Sequence, residues 1–240
     1  MEKNNLYIYC ITYHQPAMEM NILPGHNKQP VYMIIFENLA AYVSDTTYTY
    51  IEAKYENLQC HENVIRGLME KSDILPMRFS TICKDKESVI KMLQRYYPQF
   101  IKNLDYIAGK VELGIKVFFK LDFEKEDERD KELLKVPREY MMKRYERYCS
   151  RQSKIDEILY SIELYHKNLE EIAVGSSYSK PLKNNLIFNA SYLVEAEKQD
   201  SFEKVVLEMK KNNPAYKILY SGPWPAYHFV NIVREGEENG

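Results

Sequence analysis

The alternating stretch at 110–120, KVELGIKVFFK, is the feature that most restricts how this chain can fold. Its apolar side chains recur at every second position, which is the period of a β-strand with one buried face. The residues on that face are Val111, Leu113, Ile115, Val117 and Phe119. This pattern predicts a sheet strand that must be packed against another layer.

The residues before this strand predict six further elements. Strands are predicted at 6–12, 31–36 and 39–44, a helix at 55–71, and a short buried strand in ILPMRFST. A second helix is predicted to follow, with Asp85 as its N-cap, a kink at Pro98 and Gly109 as its end. The order β-β-β-α-β-α-β predicts an α+β fold in which helices cover one face of a mostly antiparallel sheet. A ferredoxin-like sandwich with an extra hairpin fits this order.

The second half begins with a charged run. Acidic residues dominate 122–132 and basic residues dominate 135–154. This run is either a solvated linker leading into a long exposed helix or a polar docking strip for a protein partner. The helix is expected to start near Pro137 and to carry one apolar stripe. The stripe consists of Ile155, Ile158, Leu159, Ile162, Tyr165, Leu169 and Ile172.

Beyond a Ser-rich loop at Gly175, the sequence predicts a second, smaller ferredoxin-like α+β unit. It contains a strand at 186–195, a helix at 201–212 capped by Asp200, and two final strands on either side of GPWP. We therefore expect three regions. They are an N-terminal domain at 1–121, a charged linker at 122–136 and a C-terminal domain at 137–240, with the long helix and a GPWP corner.

Composition narrows the functional classes. The chain has 33 Lys and Arg against 35 Asp and Glu, so it lacks the basic field that would favour nucleic acid as a partner. No stretch reaches the ~20 apolar residues of a membrane span, and MEKNNLYIYC does not have the pattern of a secretory signal. Scattered cysteines without CxxC spacing suit a reducing cytoplasm. The 21 tyrosines suit half-buried surfaces and protein contacts.

One candidate site lies around His61, Glu62 and Arg78. A pair between Glu62 at the start of a helix and Arg78 in a nearby strand would fix how the two elements dock. The alternative is an active site, but the sequence offers no third group to orient a base or nucleophile. Cys60, His61 and Cys83 do not have a recognised metal-ligand spacing, and no Gly-rich phosphate loop is present. We expect no metal and no cofactor.

The second candidate site is YSGPWPAYHFV at 220–230, which contains the only tryptophan. Its candidate residues are Gly222, Pro223, Trp224, Pro225 and Tyr227. Two prolines restrict their own backbone and that of their predecessors, which favours a rigid aromatic corner between two strands. Alternatively, Trp224 stays partly exposed as an anchor for a partner, because tryptophan is enriched in binding hot spots. A lid over a ligand is the least favoured of the three interpretations.

Four blocks of sequence resemble the gas vesicle protein GvpL/GvpF family. They are FENLAAYVS (36–44), HENVIRGLMEKSDILPMRFST (61–81, including Phe79), GKVELGIKV (109–117) and SGPWPAYHFV (221–230). The chain departs from the family pattern at Ser80, where glycine is usual, and at Ala226, where proline is usual. The serine suggests that a tight backbone conformation is relaxed here.

The resemblance implies two α+β domains, the first a modified ferredoxin-like unit, in a cytoplasmic accessory protein that is not an enzyme. The implied partners are the hydrophobic shell protein GvpA and other accessory Gvp proteins, during vesicle nucleation or growth. A minor structural component of the vesicle wall is the alternative. The resemblance does not separate an F-type from an L-type role.

Overall fold

The computed structural model of the chain describes residues 4–15, 24–119, 137–181, 185–214 and 216–232. Contacts divide the chain into two compact units, Met1–Glu112 with Pro223–Gly240, and Leu113–Gly222. The predicted domain limits at 121 and 137 do not coincide with these bounds. The predicted linker at 122–136 lies outside the described residues.

The first unit is built on an antiparallel sheet in the order β2-β3-β1-β4, with β5 also paired to β1. Its strands are β1 (Asn5–Tyr13), β2 (Val31–Phe36), β3 (Leu39–Thr46), β4 (Leu75–Pro76) and β5 (Ile82–Cys83). The central strand β1 is buried from Leu6 to Thr12 because neighbours flank it on both sides. Within the predicted strand ILPMRFST only the two residues of β4 are extended in the sheet, and β5 follows directly after it. The two short strands pair at different points of β1.

Three helices accompany this sheet: α1 (Tyr55–Met69), α2 (Lys86–Arg95) and α3 (Tyr97–Ile107). The Asp85 carboxylate accepts a hydrogen bond from the Ser88 amide at 2.8 Å and so caps α2, as predicted. The predicted single helix is divided at Tyr96, and Pro98 falls in the first turn of α3, where its missing N–H is no loss. Gly109 follows α3 with a φ of +65° that suits glycine.

A second sheet has the order β7-β8-β6-β9. Its strands are β6 (Lys110–Phe119), β7 (Gly175–Ser179), β8 (Leu186–Glu195) and β9 (Tyr216–Trp224). Leu113, Ile115 and Val117 of β6 are buried, which agrees with the alternation in the sequence. However, β6 pairs in this second sheet and not in the first, where the sequence order had placed it. The predicted Ser-rich loop at Gly175 is the strand β7.

The second unit contains α4 (Pro137–Ile172) and α5 (Gln199–Asn212). Helix α4 is described from Pro137 onwards, and Ile155, Ile162 and Leu169 of the predicted stripe are buried. Asp200 does not cap α5, because it lies inside the first turn and the helix begins without a side-chain cap. Among the described helices, none combines the length and apolar content that crossing a bilayer would require. The α+β fold class is confirmed.

Candidate functional site

Helix α1 presents two different faces. His61, Val64, Ile65 and Leu68 are buried against the sheet of the first unit. A neighbouring face carries Leu58, Glu62, Arg66 and Met69, spaced by three and four residues so that they share one side of the helix. The Glu62 carboxylate accepts a hydrogen bond from the Arg66 guanidinium at 2.5 Å. The sequence predicted a Glu62–Arg78 pair instead, and that prediction is wrong because Arg66 lies one helical turn from Glu62.

The segment that follows β9 lies beside this face of α1. Pro225 and Ala226 are buried, whereas Trp224 is partly exposed. The Arg66 guanidinium carbon lies 5.8 Å from the centroid of the Trp224 ring, within the range of a cation–π contact. One wall of a depression is therefore formed by three side chains in successive contact, Glu62, Arg66 and Trp224.

This depression, which we call the Trp224 groove, has a volume of about 310 Å³. It is lined by Leu58, His61, Glu62, Ile65, Arg66, Met69, Phe79, Pro223, Trp224, Pro225 and Tyr227. Seven of the nine residues predicted from sequence line it: His61, Glu62, Phe79, Pro223, Trp224, Pro225 and Tyr227. Two sequence motifs that are about 160 positions apart thus meet at one site.

The other two predicted residues lie elsewhere. Arg78 is exposed and lines a separate cavity of about 410 Å³, and its carbonyl accepts a hydrogen bond from the Thr81 hydroxyl at 2.6 Å. Gly222 is an exposed residue of β9 with a φ of +123°, a conformation that suits glycine. The predicted strand after the tryptophan is absent from 225–232, because β9 itself continues through Pro223 to Trp224 and a turn follows.

His61 forms the floor of the Trp224 groove. Its Nδ1 lies 2.8 Å from the Tyr7 hydroxyl, and its ring packs against Tyr7, Tyr9 and Phe79. Burial lowers the pKa of His61 to about 4, although the Met77 carbonyl acts in the opposite direction. The imidazole is therefore neutral near pH 7. A general base works best with a pKa near the working pH, so the lowered pKa of His61 makes it a poor general base.

Sequence reasoning missed a buried carboxylate that holds the C-terminal segment. Glu112 is 3% exposed, and one of its oxygens accepts a hydrogen bond from the His228 amide at 2.9 Å. The other oxygen contacts Nδ1 of the same histidine. In the alternating pattern, Glu112 falls on the face opposite Val111 and Leu113, where polar side chains usually face solvent. The only sign of its role in the sequence was a charged residue near the start of a strongly predicted strand.

Cys60, His61 and Cys83 have side chains of the types that bind metal ions. Over the described ranges, no group of three or more His, Cys, Asp or Glu side chains is arranged to hold a metal ion. The lining of the Trp224 groove is instead mainly apolar and aromatic, with one ion pair. Such a surface is suited to apolar side chains rather than to a charged cofactor.

Comparisons with known proteins identify relatives of this chain. The model of the family "Gas vesicle synthesis protein GvpL/GvpF" matches residues 5–231. Gas vesicle protein F1 of Halobacterium salinarum is 27% identical over 231 residues, which cover 95% of this chain and 93% of that protein. Gas vesicle protein F of Nostoc sp. is 27% identical over 249 residues, covering 95% and 99%.

Two crystal structures share the fold. The gas vesicle protein GvpF from Anabaena sp. superposes with a TM-score of 0.79 at 23% identity, covering 98% of this chain and all of that one. GvpF from Microcystis aeruginosa has a TM-score of 0.75 at 21% identity, covering 95% and 99%. The match to the family model spans nearly the whole chain and includes both walls of the Trp224 groove. The chain therefore belongs to the GvpL/GvpF family of gas vesicle synthesis proteins, and its role concerns gas vesicles.

Proposed function

We propose that this protein is a cytoplasmic, non-enzymatic assembly factor that binds the gas vesicle shell protein GvpA during vesicle nucleation or growth. The observation that carries the proposal is the Trp224 groove, where a partly exposed indole borders an apolar depression. Tryptophan and arginine are among the residue types most enriched in binding hot spots, and Trp224 and Arg66 are in contact here.

A groove of this kind suits the needs of shell assembly. A small, very apolar subunit aggregates unless its hydrophobic surface is covered before it is incorporated. Apolar side chains of GvpA would enter between Leu58 and Trp224, while the Glu62–Arg66 pair would remain at the polar edge. Other accessory Gvp proteins are further proposed partners, since a factor of this kind acts within a larger assembly.

The test is co-expression of the tagged protein with GvpA, followed by affinity capture and mass spectrometry. Leu58, 41% exposed, lines the groove, so Leu58→Glu would place a carboxylate against apolar surface. We expect at least a roughly tenfold loss of captured GvpA, because an unpaired charge in such a contact costs more than 1.4 kcal/mol.

Tyr50→Glu is the matched control, since Tyr50 is 66% exposed and does not line the groove. It should capture as much GvpA as the wild type. A folded wild-type protein that captures no GvpA would contradict the proposed function. Equal losses in both variants would contradict the groove as the binding surface. Immunodetection in washed, intact vesicles would show whether the protein also stays in the wall as a minor structural component.

A further inference from the structure

Helix α4 carries a seven-residue repeat along most of its 36 residues, which correspond to a length of about 54 Å. Beginning at Met141, one set of positions advances alternately by four and by three residues, the spacing of a helix–helix seam. The seam positions are Met141, Tyr145, Tyr148, Gln152, Ile155, Leu159, Ile162, His166 and Leu169. Seven of these nine side chains are aliphatic or aromatic hydrophobes, and the repeat is sustained over four heptads.

The two halves of this seam differ in their surroundings. Ile155, Ile162 and Leu169 are 6%, 1% and 1% exposed, because this half packs within the second unit. Met141 and Tyr145 are 64% and 65% exposed, and Tyr148 is 64% exposed. These last three residues form what we call the exposed seam. Single exposed apolar residues are common on protein surfaces, but three in register with a buried seam form a continuous surface.

Basic residues flank the exposed seam. Residues 140–154 contain five basic side chains and one acidic side chain, a net charge of +4. Arg144 and Arg151 immediately precede seam positions, where the charges of a helix pair select the partner. A second copy of this chain would bring the same positive charge to the same seam, which disfavours self-pairing. Charge complementarity instead favours an acidic partner.

We infer that the exposed seam is a docking surface for a partner protein's amphipathic α-helix, whose apolar stripe is flanked by Asp or Glu. Tyr145 and Tyr148 provide broad apolar faces with polar tips, and Met141 adapts to irregular surfaces. The partner's acidic side chains would pair with Arg144 and Arg151. Tyr148 and Arg151 also line a small cavity of about 140 Å³ beside Phe119 and Ile187 of the second sheet. None of the residues of the exposed seam lines the Trp224 groove.

The inference is tested with two synthetic peptides of about four heptads each, both with Leu at the a and d positions. One has Glu and the other has Lys at the e and g positions. Fluorescence anisotropy with the full-length protein at low salt measures both affinities. We expect the Glu peptide to bind at least tenfold more tightly than the Lys peptide. The double variant Arg144→Glu, Arg151→Glu should reverse this preference.

Lys143→Glu with Lys154→Glu is the matched control. Both lysines are exposed and lie off the seam, and the change in net charge is the same. This variant should keep the wild-type preference for the Glu peptide. The inference is overturned if neither peptide is preferred, or if the control reverses the preference as strongly as the arginine variant. It also fails if light scattering shows a dimer that Tyr145→Glu converts to a monomer, because the exposed seam then pairs with itself. Binding to phosphatidylserine vesicles, with less than twofold discrimination between the peptides, would likewise overturn it.

Discussion

Ser80 occupies a position where the backbone strongly favours glycine. Its φ is +64°, in the left-handed region that L-residues adopt only at a cost of about 1–2 kcal/mol. The sequence suggested that serine here relaxes a tight conformation, but the structure retains the conformation. The serine hydroxyl accepts a hydrogen bond from the Ile51 amide at 2.9 Å, and Ile51 is buried. This bond offsets the strain.

We predict that Ser80→Ala is more destabilising than Ser80→Gly. Both changes remove the acceptor of the Ile51 amide, which costs about 1–3 kcal/mol when water cannot replace it. Only glycine also relieves the left-handed strain. Urea denaturation followed by the fluorescence of Trp224 measures both variants, since this single tryptophan lies in the same unit. An alanine variant as stable as the wild type would show that the hydroxyl contributes nothing.

At the scale of single elements, local pattern identified most helices and strands but not their partners. The alternation around Leu113 predicted β6 correctly, yet nothing within the strand says which sheet it joins, because pairing depends on distant segments. The prolines around Trp224 predicted a break, but Pro223 lies within β9. Since β9 is at an edge of its sheet, one side of this strand has no neighbour, and proline is tolerated in such strands.

For the candidate site, the sequence identified most of the residues but not their contacts. The HE and GPWP motifs pointed to residues that line the Trp224 groove, since unusual residue types mark special positions. The wrong Glu62–Arg78 pair arose because the choice of an ion-pair partner depends on helix geometry, and Arg66 one turn away was closer. Glu112 was missed because its burial depends on a segment more than a hundred positions later in the chain.

The start of α2 gives a prediction at this scale. Asp85 accepts hydrogen bonds from the Ser88 amide at 2.8 Å and from its hydroxyl at 2.6 Å. Asp85→Ala should destabilise the first unit by about 1 kcal/mol, as expected for loss of an N-cap. Glu87→Ala is the control, because it removes the same charge from the same turn but only an exposed pair with Lys91. Denaturant midpoints that are equal in the two variants would contradict the capping role.

Over the whole molecule, each unit contains the same buried arrangement of two rings. In the first unit, Nδ1 of His61 lies 2.8 Å from the Tyr7 hydroxyl. In the second, Nδ1 of His166 lies 2.7 Å from the Tyr192 hydroxyl. Each histidine is on a helix and each tyrosine is on a strand, and both histidines are 6% exposed. The hydrogen bond aligns helix with sheet while aromatic rings exclude water from the imidazole.

Burial of these imidazoles makes stability depend on pH. Burial lowers the pKa of His61 from 6.5 to about 4, and it also lowers the pKa of His166, although the Glu170 carboxylate opposes the second shift. Between pH 6.5 and 4, His61 therefore binds more protons in the unfolded chain than in the folded chain, and the lowered pKa of His166 acts in the same direction. The contribution of these histidines to the free energy of unfolding therefore falls as the pH falls through this window. Well above pH 6.5 that contribution no longer changes with pH.

We predict that acidification from pH 7 to pH 4 removes about 3 kcal/mol of stability from the first unit through His61. Urea denaturation detected by Trp224 fluorescence at several pH values measures this loss. His61→Asn keeps a polar partner for Tyr7 but cannot titrate, so its stability should depend less steeply on pH. His166→Asn is the control, since it changes the other unit and should leave this slope intact. A slope that is the same in wild type and His61→Asn would show that protonation of His61 does not destabilise the fold.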